Sequence, residues 1–327
     1  MSPLLLATSS DLVFALDARS DLGQPLVLGV LQGAVYGLIG LGIVLLYKSN
    51  RIFNFAQAEF GTIAGLTAYF GLDGRLFGIP WHMPWLVAIL VGLTVGTLSA
   101  VLTERLVIRP LFSQARVILV VGTVGVLLTA IAVETLVFPT NGIASVPAFN
   151  NPQKGAIPGL KDPAFTLGFA RYIVQWEQIL TMIVLVALAL AAVAFFRYSR
   201  YGTAILAVSQ EATAAQTVGI SVSKVSLVTW TLAGFLGSVA GIVALAGSPV
   251  LVPGVVTGTA LVGSLTAAVL GGITSLPGAF LGGMLVGLLQ SFGTHFFTFP
   301  GSQGVVVGAV LLLVLLVRPT GLLGGQA

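Results

Sequence analysis

The chain has no cysteine and very little charge. The first absence excludes disulfides and thiolate metal sites and leaves the redox compartment open. Only 7% of the 327 residues are charged, against roughly a quarter in soluble domains, while 57% are hydrophobic and the mean hydropathy is +1.06. A chain so poor in charge cannot hide its apolar surface inside a soluble globule, so it reads as a membrane protein. Its formal net charge is +4, but the basic residues stand singly beside apolar runs. They form no stripe that would grip nucleic acid and read instead as topology signals. The only histidines, His82 and His295, have no second ligand nearby in sequence, which argues against a metal site or a general base. None of Lys48, Lys154, Lys161 and Lys224 follows a glycine, so there is no phosphate-binding loop; if ATP drives this protein, another chain binds it. Scattered Ser and Thr make no nucleophile–base constellation, and the chain does not read as an enzyme.

What is present is a series of apolar runs. A bilayer core of about 30 Å asks for about 20 residues per helix. Candidates lie at 26–47, 56–72, 85–107, 117–138, 178–196, 225–247, 255–273, 279–298 and 304–317. The expected fold is an all-α, polytopic helix bundle of about nine spans (eight to ten), with short or broken helices at 56–72 and 304–317. Alternating the spans puts Lys48, Arg51, Arg105, Arg109, Arg116, Arg197, Arg200, Lys224 and Arg318 on one side and Arg19, Arg75, Lys154, Lys161 and Arg171 on the other. The richer side is the cytosol. The C-terminus is then inside and the loop 139–177, rich in Pro, Gly and Asn, outside. Residues 1–23, without a basic n-region, read as an extension rather than a secretory signal; 24–324 form a single transmembrane domain and 325–327 a tail. Glycines four apart (29, 33 and 37; 92 and 96; 237 and 241; 283 and 287; 304 and 308) point to close helix packing. Trp81, Trp85 and Trp176 fall at span ends, as an aromatic belt does.

Three polar stretches interrupt the apolar pattern. Residues 197–224 leave the membrane: Arg197 and Arg200 stop the preceding span, Gly202 allows a bend, and Ile205, Val208 and Ala212 share a helical face. Gly219 ends that stretch and Ser221 caps the next span, giving two short surface helices that present Gln210, Glu211 and Gln216 to a partner. The second stretch holds Glu59. A carboxylate in a bilayer costs about 2.5–3.5 kcal/mol. Either Glu59 sits at the cytosolic interface and pairs with Lys48 or Arg51, or Asn54, Gln57 and Glu59 mark a helix break that lines a route through the membrane. The third, Gly271 to Gly278, is a turn, read either as a simple cytosolic hairpin or as the cytosolic mouth of a pathway. Opposite the 48–56 connection, it hints at an internal repeat. Glu134, near the end of its span, reads as an interfacial carboxylate.

The stretch 197–224, together with 266–283 and 312–324, resembles the permease subunits of branched-chain amino-acid ABC importers of the LivH type, and the likeness runs from Gln24 to Gly324. That family carries an Asn-Phe-Ala-His-Gly-Glu motif, matched here by Asn54, Phe55, Ala56 and Glu59, with Gln57 for His and Ala58 for Gly. A role needing an imidazole or a flexible glycine at those two positions is not available to this chain. The resemblance adds weight to a translocation pathway at Asn54, Phe55 and Glu59, and the pathway reading of the two breaks adds Gln57, Thr274 and Ser275. The resemblance implies ATPase coupling through Ser209, Gln210, Glu211, Ala214, Ala215, Gly219 and Ile220. It also implies cytosolic ATPase subunits that carry ATP and Mg, with no cofactor bound by this chain, a second permease subunit, homologous or identical, and an external substrate-binding protein. The expected location is the bacterial plasma (inner) membrane, and the expected cargo is branched-chain or other hydrophobic amino acids, with urea or short amides as the alternative. A self-sufficient channel or ion-coupled secondary transporter using Glu59 is the competing class; the scarcity of other embedded charges stands against it.

Overall fold

The computed structural model describes residues 22–73, 82–138, 163–167, 172–248, 250–299, 301–317 and 321–322. Each apolar run of the sequence becomes a helix, because in a membrane only internally bonded backbone is tolerated. In chain order these are α1 (Gly23–Asn50), α2 (Glu59–Asp73), α3 (Trp85–Thr103), α4 (Arg116–Val137) and α5 (Trp176–Tyr198), then the short helices α6 (Arg200–Gln210) and α7 (Ala212–Thr217). The apolar series resumes with α8 (Val222–Ala246), α9 (Val255–Gly271), α10 (Leu276–Phe296) and α11 (Ser302–Val317). Six of them are long and apolar enough to cross a membrane; α9 and α11 are shorter, and α2 has only 15 residues. The segment read as an external loop carries a small antiparallel hairpin, β1 (Pro163–Leu167) with β2 (Tyr172–Gln175), in which Phe165 faces Val174. This is a local addition to a helical membrane bundle. Trp81, Lys154, Lys161, Arg171, Arg318, the side chains of Trp176 and Glu177, and all but the last residues of the N-terminal extension lie outside the described residues.

The centre of the bundle is α1, buried from Gly33 to Leu46 and packed against α8, α9 and α10. Glycine sets how close those helices come. A Cβ at Gly33 would stand 2.6 Å from Met284 Cα, and one at Gly283 or Gly287 would run into the α1 backbone at Gly37 or Gly33. Backbone therefore lies directly on backbone along α1 and α10, the close approach that drives association where lipid tails remove any hydrophobic gain. Gly61 of α2 meets Gly241 of α8 in the same way, and Gly92 of α3 seats against Ala64. Gly304 and Gly308 differ from this pattern. Among the described residues nothing lies within 4 Å of a Cβ at either, so they pack against none of those.

The basic end of α3 has its own device. The helix widens into a π turn at Glu104–Ile108 and tightens to a 3-10 turn at Arg109–Leu111, where Pro110 cannot continue the ladder. The wider turn brings Glu104 and Arg109 to one side, and the buried Glu104 carboxylate takes a two-pronged bond from the guanidinium at 3.0–3.2 Å. Arg109 also reaches Ser223 O at the start of α8.

Candidate functional site

The site begins where α1 ends. Arg51 takes a left-handed conformation (φ 56°, ψ 32°), donates its N–H to Tyr47 O at 2.9 Å, and turns the chain back toward the interior. Its guanidinium donates to Ser209 O, near the end of α6, at 3.1 Å. Residues 52–58 then re-enter the bundle without regular structure, so their free backbone and side-chain groups need partners inside it. Asn54 Oδ1 accepts from Ala56 N at 3.0 Å, Asn54 Nδ2 donates to Gln57 Oε1, and Phe55 N donates to Thr123 Oγ1 of α4. Gln57 Nε2 donates to Ala233 O at 2.7 Å, near the middle of α8. Asn54, Gln57 and Glu59 are all fully buried. The helix α2 therefore starts deep in the bundle, with Glu59 as its first residue.

A second break mirrors the first. After α8 the chain turns back. Leu251 packs with Leu66, Tyr69, Phe70 and Phe138, and by Thr257 the chain has descended to the tip of α2. Thr257 Oγ1 donates to Glu59 Oε2, and Gly254 N, at the cap of α9 (φ 70°), donates to Glu134 Oε2 of α4 at 2.9 Å. Glu59 and Glu134 are thus neighbouring buried carboxyl groups, each bonded through Oε2, and among the described residues Oε1 of each has no hydrogen-bond partner. The positive ends of two short helices thus converge on a pair of carboxyl groups, where helix N-termini favour negative charge.

This corrects the simpler reading of both acids. Glu59 does not pair with Lys48 or Arg51: Lys48 Nζ donates to Thr274 O at 2.8 Å and Arg51 to Ser209 O. Glu134 is not interfacial, being 1% exposed, because the start of α9 folds down over it. Thr274 and Ser275 are not brought to the Asn54–Glu59 group. They follow the opposite end of α9 from the Thr257–Glu59 bond, where Ser275 Oγ accepts from Gly278 N and caps α10.

The stretch 197–224 forms the two expected short helices. Gly202, Ile205 and Val208 face the bundle, but α6 ends at Gln210, so the exposed Ala212 does not continue that face. Gln210, Glu211, Ala214, Gln216 and Gly219 are exposed, and Ser209 and Ile220 are half-buried. Ala215 is buried at 4% and anchors α7 inward, so it is not a surface contact. Glu211 caps α7 through Thr213 N, Gly219 takes φ 87° at the end of the loop, and Ser221 caps α8. Sequence reasoning missed Gly254, Thr257 and the Arg51 tether. Gly247-Ser248-Pro249 and Pro253–Gly254 were the available turn signals.

Apolar helices, two of them half-length and meeting tip to tip over buried polar groups, make up the architecture of a membrane transport protein. Residues 26–315 match the family described as branched-chain amino acid transport system / permease component, and the chain belongs to that family. It is similar to the high-affinity branched-chain amino acid transport system permease protein BraD of Pseudomonas aeruginosa, 31% identical over 92% of this chain and 95% of BraD. The corresponding LivH proteins of Escherichia coli and Salmonella typhimurium are 29% and 28% identical, each covering 92% of this chain and 95% of the relative. The chain is a permease subunit with multiple membrane helices.

Proposed function

We propose that this permease is the membrane subunit of an ATP-driven importer for branched-chain amino acids, with its basic end in the cytosol of a bacterial inner membrane. A cytosolic ATPase, carrying ATP and Mg, docks on α6 and α7; an external binding protein delivers the amino acid; and a second permease subunit, identical or homologous, completes the pathway. The observation that carries this reading is the Arg51–Ser209 bond. It ties the surface helix pair to the root of the re-entrant stretch, and eight residues along that stretch stands Glu59, at the meeting point of the two half-helices. A push on α6 therefore has a short covalent and hydrogen-bonded path to the buried tips, which is the two-state coupling that an ATPase needs.

The cargo is tested by reconstituting the chain in vesicles with its ATPase and binding protein. ATP should drive uptake of leucine, isoleucine and valine. Uptake of urea or acetamide in their place would move the chain to the amide branch of the alternatives.

A further inference from the structure

At the basic end, a groove of about 570 Å³ opens between α5, α6 and the start of α10. Its lining includes apolar Val193, Phe196, Leu206 and Pro277 and polar Lys48, Arg197, Thr203 and Ser275. No carboxylate lines it. Lys48 is half-buried, stacks over the Phe196 ring at 5.0 Å and spends one of its three N–H bonds on Thr274 O. Among the described residues neither Lys48 nor Arg197 has an acidic partner within ion-pair distance.

We propose that this groove seats the headgroup of an acidic phospholipid of the cytosolic leaflet. Two cations without counter-ions fit a phosphate better than a zwitterionic headgroup, which brings its own cation. An apolar track continues from the groove: Pro277, Leu281, Leu285 and Leu289 recur every four residues along α10 and are all exposed, so they share one face toward lipid. Acyl chains lie along that stripe while the phosphate meets Lys48 and Arg197. Helix α6 forms one wall through Thr203 and Leu206, so a bound lipid touches the same helix that Arg51 holds from the other side.

The test is native mass spectrometry of the full-length chain, released from detergent after incubation with phosphatidylglycerol, phosphatidylethanolamine or phosphatidylcholine. The wild type should retain phosphatidylglycerol in preference to the other two. Arg197→Gln should weaken that retention about fivefold, the loss expected for one cation at a membrane surface. Lys48→Gln should do the same, and Lys48→Arg should restore it; because Lys48 also holds the Thr274 turn, the exposed Arg197 is the variant that decides if Lys48→Gln misfolds. Arg200→Gln, on the same surface but outside the groove, should change nothing. Equal retention of the three lipids, equal retention by wild type and Arg197→Gln, or full displacement of the lipid by millimolar inorganic phosphate would overturn the proposal.

Discussion

Glu134 shows what a single buried carboxyl group can hold together. It belongs to α4 and accepts from the cap of α9, whose Thr257 in turn donates to Glu59 at the tip of α2, so it ties α4 to the element that meets α2. Glu134→Gln keeps its shape and an acceptor for Gly254 N–H, so its melting temperature in detergent should stay close to wild type. Glu134→Ala strands the Gly254 N–H in a buried site and should cost about 1–3 kcal/mol, read as a clear drop in melting temperature. Similar melting for both variants would remove the structural role argued for Glu134. Glu59→Gln likewise keeps shape and hydrogen bonding; it should alter transport while leaving melting nearly unchanged, and parallel loss of folded protein and transport would contradict that. The Glu59 side of this arrangement was legible in the sequence because an acid in an apolar run needs an explanation. Its neighbours were not. Thr257 lies 198 residues away, and Glu134 stands near the end of its own span, where an acid looks harmless until the descent of 247–254 is known.

At the scale of elements, the apolar runs were readable because length and apolarity alone decide which segments become membrane helices. Which glycines carry packing was not, because spacing on one helix does not say what lies opposite. Gly33→Leu should block the contact of α1 with α10 and abolish folded, monodisperse protein. Gly304→Leu faces open space among the described residues and should leave the subunit folded. A folded Gly33→Leu protein would mean that the two backbones are not in contact. The surface pair α6 and α7 divides in the same way. Ala214 is exposed and Ala215 is buried, so Ala214→Arg should reduce co-purification of the ATPase without loss of the permease, whereas Ala215→Arg should destabilise the loop itself. Undiminished ATPase binding by Ala214→Arg would place the docking surface elsewhere.

Across the whole molecule, the Arg51–Ser209 bond joins the α6–α7 surface to the stretch that leads to the half-helix tips. The basic residues Lys48, Arg51 and Arg109 bridge α1 and α3 to Thr274, Ser209 and Ser223 at one end of the bundle, which the positive-inside bias assigns to the cytosol. The cysteine-free background allows single-cysteine labelling to check this: Thr213→Cys should react only from the cytosolic side. ATP hydrolysis and leucine uptake, measured side by side in vesicles holding the ATPase, the binding protein and either wild-type or Arg51→Gln permease, test the Arg51–Ser209 link most directly. The variant loses the bond to Ser209 but leaves the exposed docking face intact. It should therefore retain the ATPase and hydrolyse ATP while uptake per ATP falls by about tenfold, within the range of ordinary coupling energies. An unchanged ratio of uptake to hydrolysis, or wild-type uptake with no ATPase present, would contradict the account.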